Sequence, residues 1–423
     1  MADTISERAV LACIAGPSDG WGLDEELSEL EELARSAGAD PVAAVLQRHR
    51  HYHSATLFGS GKVEELAAAV AASDADTVLC NRNLSPRQQL ALEDALHCKV
   101  IDRTRLILDI FAARAQSREG RVQVELAQCL YLLPRLDGLG RELSRTGGGI
   151  GTRGPGETKL ESDRRRVRAR IAALRAQIAH LGTTRGLHRN ARRRSSLPVV
   201  ALVGYTNAGK STLHQRLCTS DAHVADQMFA TLDPSTRAAH LPDNRQALVV
   251  DTVGFVHDLP HALIAAFSAT LDEVRQADLL VEVVDQSHPR QYEQRIAVAK
   301  VLSELKAETL PRILVWNKTD RPAAPDADLR EAADVPQVRV SALTGDGIDA
   351  LRSVIARVLD DPRRPVRVHL PLEAGELVAA VRAQGELTHL EYGADGIELE
   401  ARCPAALASR LEAAAAEARG APL

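Results

Sequence analysis

The sequence predicts a multidomain α/β protein, and three observations carry that prediction. Short apolar runs alternate with amphipathic stretches over residues 1–115. The same alternation resumes at Leu197 and runs to about Asp361. Between the two lie a pair of stretches whose apolar residues recur every three to four positions. A chain of 423 residues has room for roughly two to four cores of ordinary size. The expected division is an N-terminal parallel α/β subdomain (1–115), an antiparallel helical hairpin (116–196), a second α/β domain (197–362) and a small C-terminal α+β domain (363–423).

In the first segment the candidate strands are Ala9–Ile14, Val42–Leu46, Thr77–Cys80 and Lys99–Ile101, separated by helical patterns such as Leu23–Ser36 and Val63–Ala72. Strand–helix alternation of this kind implies a small parallel sheet. From about residue 116 the period changes. Val122, Leu126, Leu130 and Leu133 form one stripe; Leu160, Val167, Ile171, Leu174, Ile178 and Leu181 form a second. Matching seams of this spacing predict two helices packed as a hairpin. Their connection is rich in glycine, with Gly147, Gly148, Gly149, Gly151, Gly154 and Gly156 around Pro155. A structureless connection of about twenty residues is unusual in a compact domain and is more often functional or disordered. The last segment reads as strand, helix, two strands turning at Gly393–Gly396, and an Ala-rich helix over Pro404–Ala418.

Composition excludes several classes. Hydrophobic residues make up 45% and charged residues 26%, as in an ordinary globular protein, and aromatics at 3% leave the cores to aliphatic packing. The six cysteines, Cys13, Cys80, Cys98, Cys129, Cys218 and Cys403, are scattered without a Cys-x-x-Cys pair, which argues for reduced thiols over disulfides or zinc. The acidic start at Met1 has no apolar core of a signal peptide, and no apolar run approaches the ~20 residues that span a bilayer. The expectation is a soluble cytoplasmic monomer with no stable membrane insertion, partial association with a membrane surface being left open, and with no DNA partner.

The net charge of −5 does not by itself point to nucleic acid, but its distribution is uneven. Arg164, Arg165, Arg166, Arg168, Arg170, Arg175, Arg185, Arg189, Arg192, Arg193 and Arg194 face only Glu161 and Asp163 as opposing acids. A mixed-sign run would read as a solvated helix face. Nearly pure arginine beside a glycine loop reads instead as a phosphate-binding stripe, because the guanidinium fork matches phosphate oxygens. The expected RNA contacts are Gly147, Gly148, Gly149, Gly154, Gly156, Lys159, Arg164, Arg165 and Arg168.

The chemistry concentrates in the third segment. The buried-strand pattern Leu197–Val203 leads into Gly204-Tyr205-Thr206-Asn207-Ala208-Gly209-Lys210-Ser211-Thr212, a match to Gly-x4-Gly-Lys-Ser. In such a loop backbone N–H groups wrap phosphates at a helix N-terminus, Lys210 reaches the β- and γ-phosphates, and the Ser211 hydroxyl ligates Mg²⁺. A glycine turn before a helix is the plain alternative, and three further motifs argue against it. Ala247–Val250 ends in Asp251-Thr252-Val253-Gly254, placing an acid to hold Mg²⁺ through water and a Gly254 N–H toward the γ-phosphate. The strand Arg312–Trp316 ends in Asn317-Lys318-Thr319-Asp320. The Asp320 carboxylate can accept from guanine N1–H and the exocyclic amine, a pair of donors adenine lacks, and a mismatch of that kind discriminates strongly. The strand Gln337–Val340 ends in Ser341-Ala342, followed by Leu343, where a backbone N–H can meet guanine O6. Four motifs in order, each at the C-terminal end of an expected strand, mark the ligand edge of an open α/β sheet. GTP and GDP are the ligands they describe.

Between the loop and Asp251 lies Met228-Phe229-Ala230-Thr231-Leu232-Asp233, where Thr231 is expected to ligate Mg²⁺ and sense the γ-phosphate, with Thr236 in reserve. The residue after Gly254 is Phe255, where Ras-type enzymes place a water-orienting glutamine. Hydrolysis is therefore expected to be slow alone and faster when a partner reshapes the switches; the catalytic set is Lys210, Thr231 and Gly254. Asn207 has two readings. Its amide oxygen can ligate a K⁺ ion beside the phosphates, or it can stabilise its own loop.

At this point the sequence resembles the HflX family of ribosome-associated, translation-factor-related P-loop GTPases. The most specific stretch runs from Gly154 through Gly156, Lys159, Glu161 and Asp163 to Arg166; supporting stretches are Gly59–Leu66, Asp102–Phe111, Gln123–Leu126, Phe229–Asp233 and Asp251–Phe255. The resemblance covers essentially the whole chain. It implies binding to the large ribosomal subunit, hydrolysis stimulated by it, splitting or rescue of stalled ribosomes under stress, and entry of the glycine-rich tip into the peptidyl transferase region. ATP binding by the N-terminal domain has been suggested for the family, but here Gly59–Lys62 lacks the Ser/Thr after the lysine and reads as a plain helix start. Two other classes compete: an RNA-remodelling protein with a mainly structural nucleotide pocket, and a GTPase serving a non-ribosomal partner.

Overall fold

The computed structural model describes residues 7–16, 22–48, 52–146, 155–194, 197–218, 228–229, 235–242, 244–257, 268–324, 335–359 and 363–420. The N-terminal sheet consists of β1 (Arg8–Ala15), β2 (Asp40–Arg48), β3 (Thr77–Cys80) and β4 (Lys99–Ile101), all parallel in the order β2-β1-β3-β4. β1 and β3 read as nearly unbroken apolar runs because both faces are covered, whereas the edge strand β2 is buried only at Val45 and Gln47. Helix α1 (Leu23–Ser36) and helix α4 (Arg103–Arg114) cover one face; α2 (Ser60–Ser73) and α3 (Pro86–Leu96) cover the other. Helix α3 starts in a capping box, Ser85 with Gln88, and α4 is N-capped by the Asp102 carboxylate, which accepts from Arg105 N–H.

Helices α5 (Arg118–Thr146) and α6 (Pro155–Arg194) form the hairpin. Val122, Leu126, Ile171 and Leu174 are buried in its seam, with Leu130, Leu133, Val167 and Ile178 packed around them. The connection is shorter than the sequence suggests, because both helices extend into it: α5 runs to Thr146 and α6 begins at Pro155, leaving residues 147–154. Proline at the first helical position is pre-organised for helix and loses no needed N–H. Gly156, expected on the structureless connection, therefore sits in the first turn of α6, and Lys159 follows in the second. Gly147, Gly148, Gly149 and Gly154 lie outside the described residues. Among the described thiols all six cysteines are free, and no described helix is long and apolar enough to cross a membrane.

The third unit is a six-stranded sheet with order β10-β9-β8-β5-β7-β6: β5 (Val199–Gly204), β6 (Ser235–His240), β7 (Gln246–Asp251), β8 (Leu279–Asp285), β9 (Arg312–Asn317) and β10 (Gln337–Arg339). All are parallel except β6, which runs antiparallel to β7 at the edge. Helices α7 (Lys210–Cys218) and α10 (Ile348–Val358) pack on one face, α8 (Ser268–Arg275) and α9 (Gln291–Glu304) on the other. The chain leaves β5 toward β7 on one side and returns to place β8 on the other, so the strand order reverses at β5. Ligands of open α/β sheets sit at such a reversal. The C-terminal unit has the expected order, β11 (Arg364–Leu370), α11 (Gly375–Gln384), β12 (Glu386–Gly393), β13 (Gly396–Cys403) and α12 (Ala405–Gly420), as an antiparallel sheet β11-β13-β12 with its own core.

The first three units are not separate beads. One cluster of buried side chains runs from Leu11, Leu30 and Phe111 through Val124 and Tyr131 of α5 to Val203, Phe229, Phe255 and Val298. Burying such surface is the dominant favourable term in docking. The root of the hairpin is fixed by polar contacts as well. Asp102 is fully buried and takes the Tyr131 hydroxyl at 2.9 Å and the Arg135 guanidinium at 2.6 Å, and Arg135 also donates to Leu84 O at 2.9 Å.

Candidate functional site

The phosphate loop is built by the end of β5. Gly209 has φ +91°, and a Cβ there would run into the Asn317 side-chain amide, so only glycine serves both demands. Gly209 O accepts from Leu213 N–H at 2.9 Å, which starts α7 with Lys210 and Ser211 in its first turn. Lys210 is buried, and its Nζ donates to Gly204 O at 3.0 Å and Tyr205 O at 2.8 Å. Burial lowers its pKa to about 8, with Asp251 partly opposing the fall. A phosphate would relieve that burial by giving the ammonium a full opposite charge.

Opposite the loop, Asp251 ends β7 in register with Leu202. Its Oδ2 accepts from Ser211 Oγ at 2.7 Å. Two hard oxygens thus stand together where Mg²⁺ is expected, the donor chemistry that ion prefers. Thr252 Oγ1 donates to Leu202 O at 2.6 Å, fastening the strand end to β5. Beyond it the chain folds against the loop: Thr206 N–H donates to Phe255 O at 2.7 Å and Phe255 N–H to Gly204 O at 3.1 Å. Gly254 is pressed so closely that a Cβ would stand 2.7 Å from Thr206 Cγ2 and 2.9 Å from its Cα. Phe255 itself is buried, its ring in the shared core. Thr231 and Asp233, with Ala230 and Leu232, lie outside the described residues, while Met228 and Phe229 are buried at the start of that segment. Asn207 has φ +60°, a left-handed conformation that asparagine tolerates better than most residues, so the loop alone gives a reason for it.

At the base end, β9 finishes in Asn317. Its Nδ2 donates to Ala208 O at 2.8 Å and its Oδ1 accepts from Ala342 N–H at 3.0 Å, so one side chain ties the phosphate loop to the loop after β10. Lys318 pairs with Asp285 at 2.8 Å, and Thr319 N–H reaches Val340 O at 3.2 Å. Asp320 is exposed and accepts from Ser341 Oγ at 2.6 Å, which holds its carboxyl below the usual carboxylate range. The sequence placed the O6 donor at Ser341 or Ala342. In the structure Ser341 N–H goes to Asp346 O at 2.9 Å and Ala342 N–H to Asn317. Leu343 N–H makes no hydrogen bond among the described residues.

Sequence reasoning missed a set of residues that reach the loop from the N-terminal sheet. Tyr205, second in the phosphate loop, is buried; its hydroxyl donates to Glu29 Oε1 at 2.6 Å and accepts from His257 N–H at 2.9 Å. Arg103 donates to the same Glu29 Oε1 at 2.9 Å and to His257 O at 3.0 Å. Burial opposes charge on Arg103, but attraction to and hydrogen bonding with Glu29, together with the nearby Tyr205 and Glu26, outweigh it and raise the guanidinium pKa. Burial and Glu29 likewise push the Tyr205 hydroxyl well above its usual value, so it is neutral and a donor. Phe111 meets Phe229 edge-on with centroids 4.7 Å apart. Helices α1 and α4 therefore touch the phosphate loop, the start of the Thr231 segment and the residues after Gly254. A cavity of about 410 Å³ opens between α1 and the loop, lined by Glu29, Glu32, Thr206, Asn207, Asp285 and Lys318 among others.

A Gly-x4-Gly-Lys-Ser loop, the Ser211–Asp251 pair and the Asn317–Asp320 stretch held at one edge of a single sheet define a P-loop GTPase. Family models bear this out along the chain: residues 24–112 match the GTP-binding GTPase N-terminal model, 114–192 the GTP-binding GTPase middle region, and 199–318 the 50S ribosome-binding GTPase model. The GTPase HflX of Caldanaerobacter subterraneus subsp. tengcongensis is 45% identical over 406 residues, 96% of this chain and 93% of the relative. That of Escherichia coli K12 is 43% identical over 355 residues, 84% of this chain and 83% of the relative. The chain belongs to the GTPase HflX family. Among solved structures, the complex of SsGBP with GDP aligns over 83% of this chain and 98% of its own at 22% identity, with a TM-score of 0.49.

Proposed function

We propose that the protein is a GTP-driven switch on the large ribosomal subunit that splits or rescues stalled ribosomes under stress, with hydrolysis stimulated by the ribosome. The observation that carries this reading is the arginine face of α6. Arg165, Arg168 and Arg175 are exposed and make no ion pair among the described residues, on a helix whose partner α5 is fastened at its root to the N-terminal sheet. A stiff arm with unengaged guanidiniums suits tracking of RNA phosphates. Arg164, Lys159 and the glycines Gly147, Gly148, Gly149, Gly154 and Gly156 belong to the same proposed contact.

In the nucleotide site Lys210 would exchange its two carbonyl partners for the β- and γ-phosphates, and Gly254 N–H would meet the γ-phosphate. GTPases of this class use Mg²⁺; Ser211 and Thr231 would hold it directly and Asp251 through water, and the ion would offset negative charge on the phosphates. Phe255 supplies no hydrogen bond to an attacking water, and its backbone is engaged with Gly204 and Thr206. Hydrolysis by the isolated chain is therefore slow, and a partner that shifts this segment speeds it. GTP-bound and GDP-bound states must differ in ribosome affinity, since equal affinity would shift nothing. K⁺ at Asn207 adds one expectation: replacing K⁺ by Na⁺ lowers the rate, and an unchanged rate removes it.

The test is GTP hydrolysis with and without purified large subunits in K⁺ buffer, with Lys210→Ala as the blank. Strong stimulation is the expected result. Intact GTP binding with no stimulation would overturn the ribosomal part and leave the GTPase.

A further inference from the structure

We propose that Arg216, on the last turn of α7, is a positioning residue that sets purine specificity by fixing the peptide planes of the loop after β10. The inference rests on the assignment of Asp320 and residues Ser341–Leu343 to the guanine base. Arg216 Nε donates to Ala342 O at 3.1 Å and Nη2 to Leu343 O at 2.6 Å. These are consecutive carbonyls, and the rigid guanidinium fork grips both at once, which lysine cannot do.

Peptide planarity turns that grip into aim. In a trans peptide the C=O of one residue and the N–H of the next point in opposite directions. Holding Ala342 O toward Arg216 therefore sends Leu343 N–H away from α7. That N–H is the donor left after Ser341 and Ala342 have spent theirs on Asp346 and Asn317. Holding Leu343 O in the same way directs Thr344 N–H, which donates to Ser341 Oγ at 3.1 Å. Ser341 Oγ in turn donates to Asp320 Oδ1. One side chain thus orients the free donor for a 6-oxo group and, two hydrogen bonds further on, the carboxylate for the 1- and 2-positions of the base.

The fork is itself braced. Arg352 of α10 donates to Arg216 O at 3.1 Å and Leu217 O at 3.2 Å and pairs with Asp349 at 2.9 Å, closing the C-terminal end of α7. Helix α7 is then a strut nine residues long, with Lys210 and Ser211 at its phosphate end and Arg216 at its base end. The ligand class this favours is a 6-oxopurine nucleotide.

The experiment compares GTP with 2-aminopurine riboside triphosphate, which keeps the 2-amino group and lacks both O6 and the N1 proton, by equilibrium titration of wild type, Arg216→Ala and Arg216→Lys. Wild type should prefer GTP, and both variants should shrink that preference about tenfold, the worth of one hydrogen bond to a fixed donor. The lysine variant keeps the charge and guards against loss of fold. A preference unchanged in both variants, even with both affinities lowered, would reduce Arg216 to a structural role and overturn the proposal. Wild type without any preference would overturn the base assignment beneath it.

Discussion

Arg103→Met tests whether the N-terminal sheet holds the segment that follows Gly254. The substitution keeps most of the side-chain volume and removes the charge from a pair in which Arg103 is 4% and Glu29 6% exposed. Glu29 would remain buried with the Tyr205 hydroxyl still donating to it. Breaking a buried pair by removing one partner costs about 3–5 kcal/mol; the surviving Tyr205 bond argues for the lower end. His257 O loses the Arg103 donor at the same time. Urea midpoints would blur this loss, because a chain with several cores does not unfold in two states. Hydrogen exchange at the His257 amide reads it locally, and about 3 kcal/mol should appear as roughly hundredfold faster exchange. Adding Glu29→Met should recover much of the protection, since the unpaired buried charge is gone. Exchange within about threefold of wild type in Arg103→Met, or losses that simply add in the double variant, would show that the ring Glu29–Arg103–His257–Tyr205 is not a coupled unit.

Other outcomes follow from the same geometry. Lys210→Ala should abolish tight GTP binding by calorimetry, while unchanged affinity would argue against the phosphate loop. Asp320→Asn should move preference from guanosine toward xanthosine nucleotides, whose 2-oxo group offers an acceptor where guanine has a donor; retained GTP selectivity in a competition assay would undo that assignment. Gly254→Ala should lower GTP hydrolysis at least about tenfold, because its Cβ would meet Thr206 at 2.7 Å; a wild-type rate in a phosphate-release assay would refute the close approach. Shortening residues 147–156 should spare intrinsic hydrolysis and remove ribosome-dependent effects. Survival of subunit splitting, followed by light scattering, would show that the tip is not the working part.

Local chemistry was legible in the sequence because it is written in short range. Strands Thr77–Cys80 and Lys99–Ile101 and helix Leu23–Ser36 fall where periodicity puts them. Gly204, Asp251 and Asn317 stand at strand ends because the residues before them are apolar runs that fold as buried strands. The hairpin seam was readable from its spacing, whereas its connection was overestimated, since glycine count says less about a helix start than the proline at 155. What stayed hidden are contacts between residues with no pattern of their own. Glu29 and Tyr205 are 176 positions apart, Arg103 and His257 154, and Arg216 and Ala342 126. Glu29, Arg103, His257 and Arg216 carry no periodic signal that marks them as partners of these sites.

The sequence by itself determined that this is a phosphate-loop protein reading guanine, because backbone turns and strand ends are set by neighbours along the chain. Only the tertiary structure decided which buried charges meet, which peptide N–H of residues 341–343 is left without a partner among the described residues, and that the N-terminal sheet touches the loop. Those depend on how separately formed layers pack, and packing brings together residues that the chain itself keeps far apart.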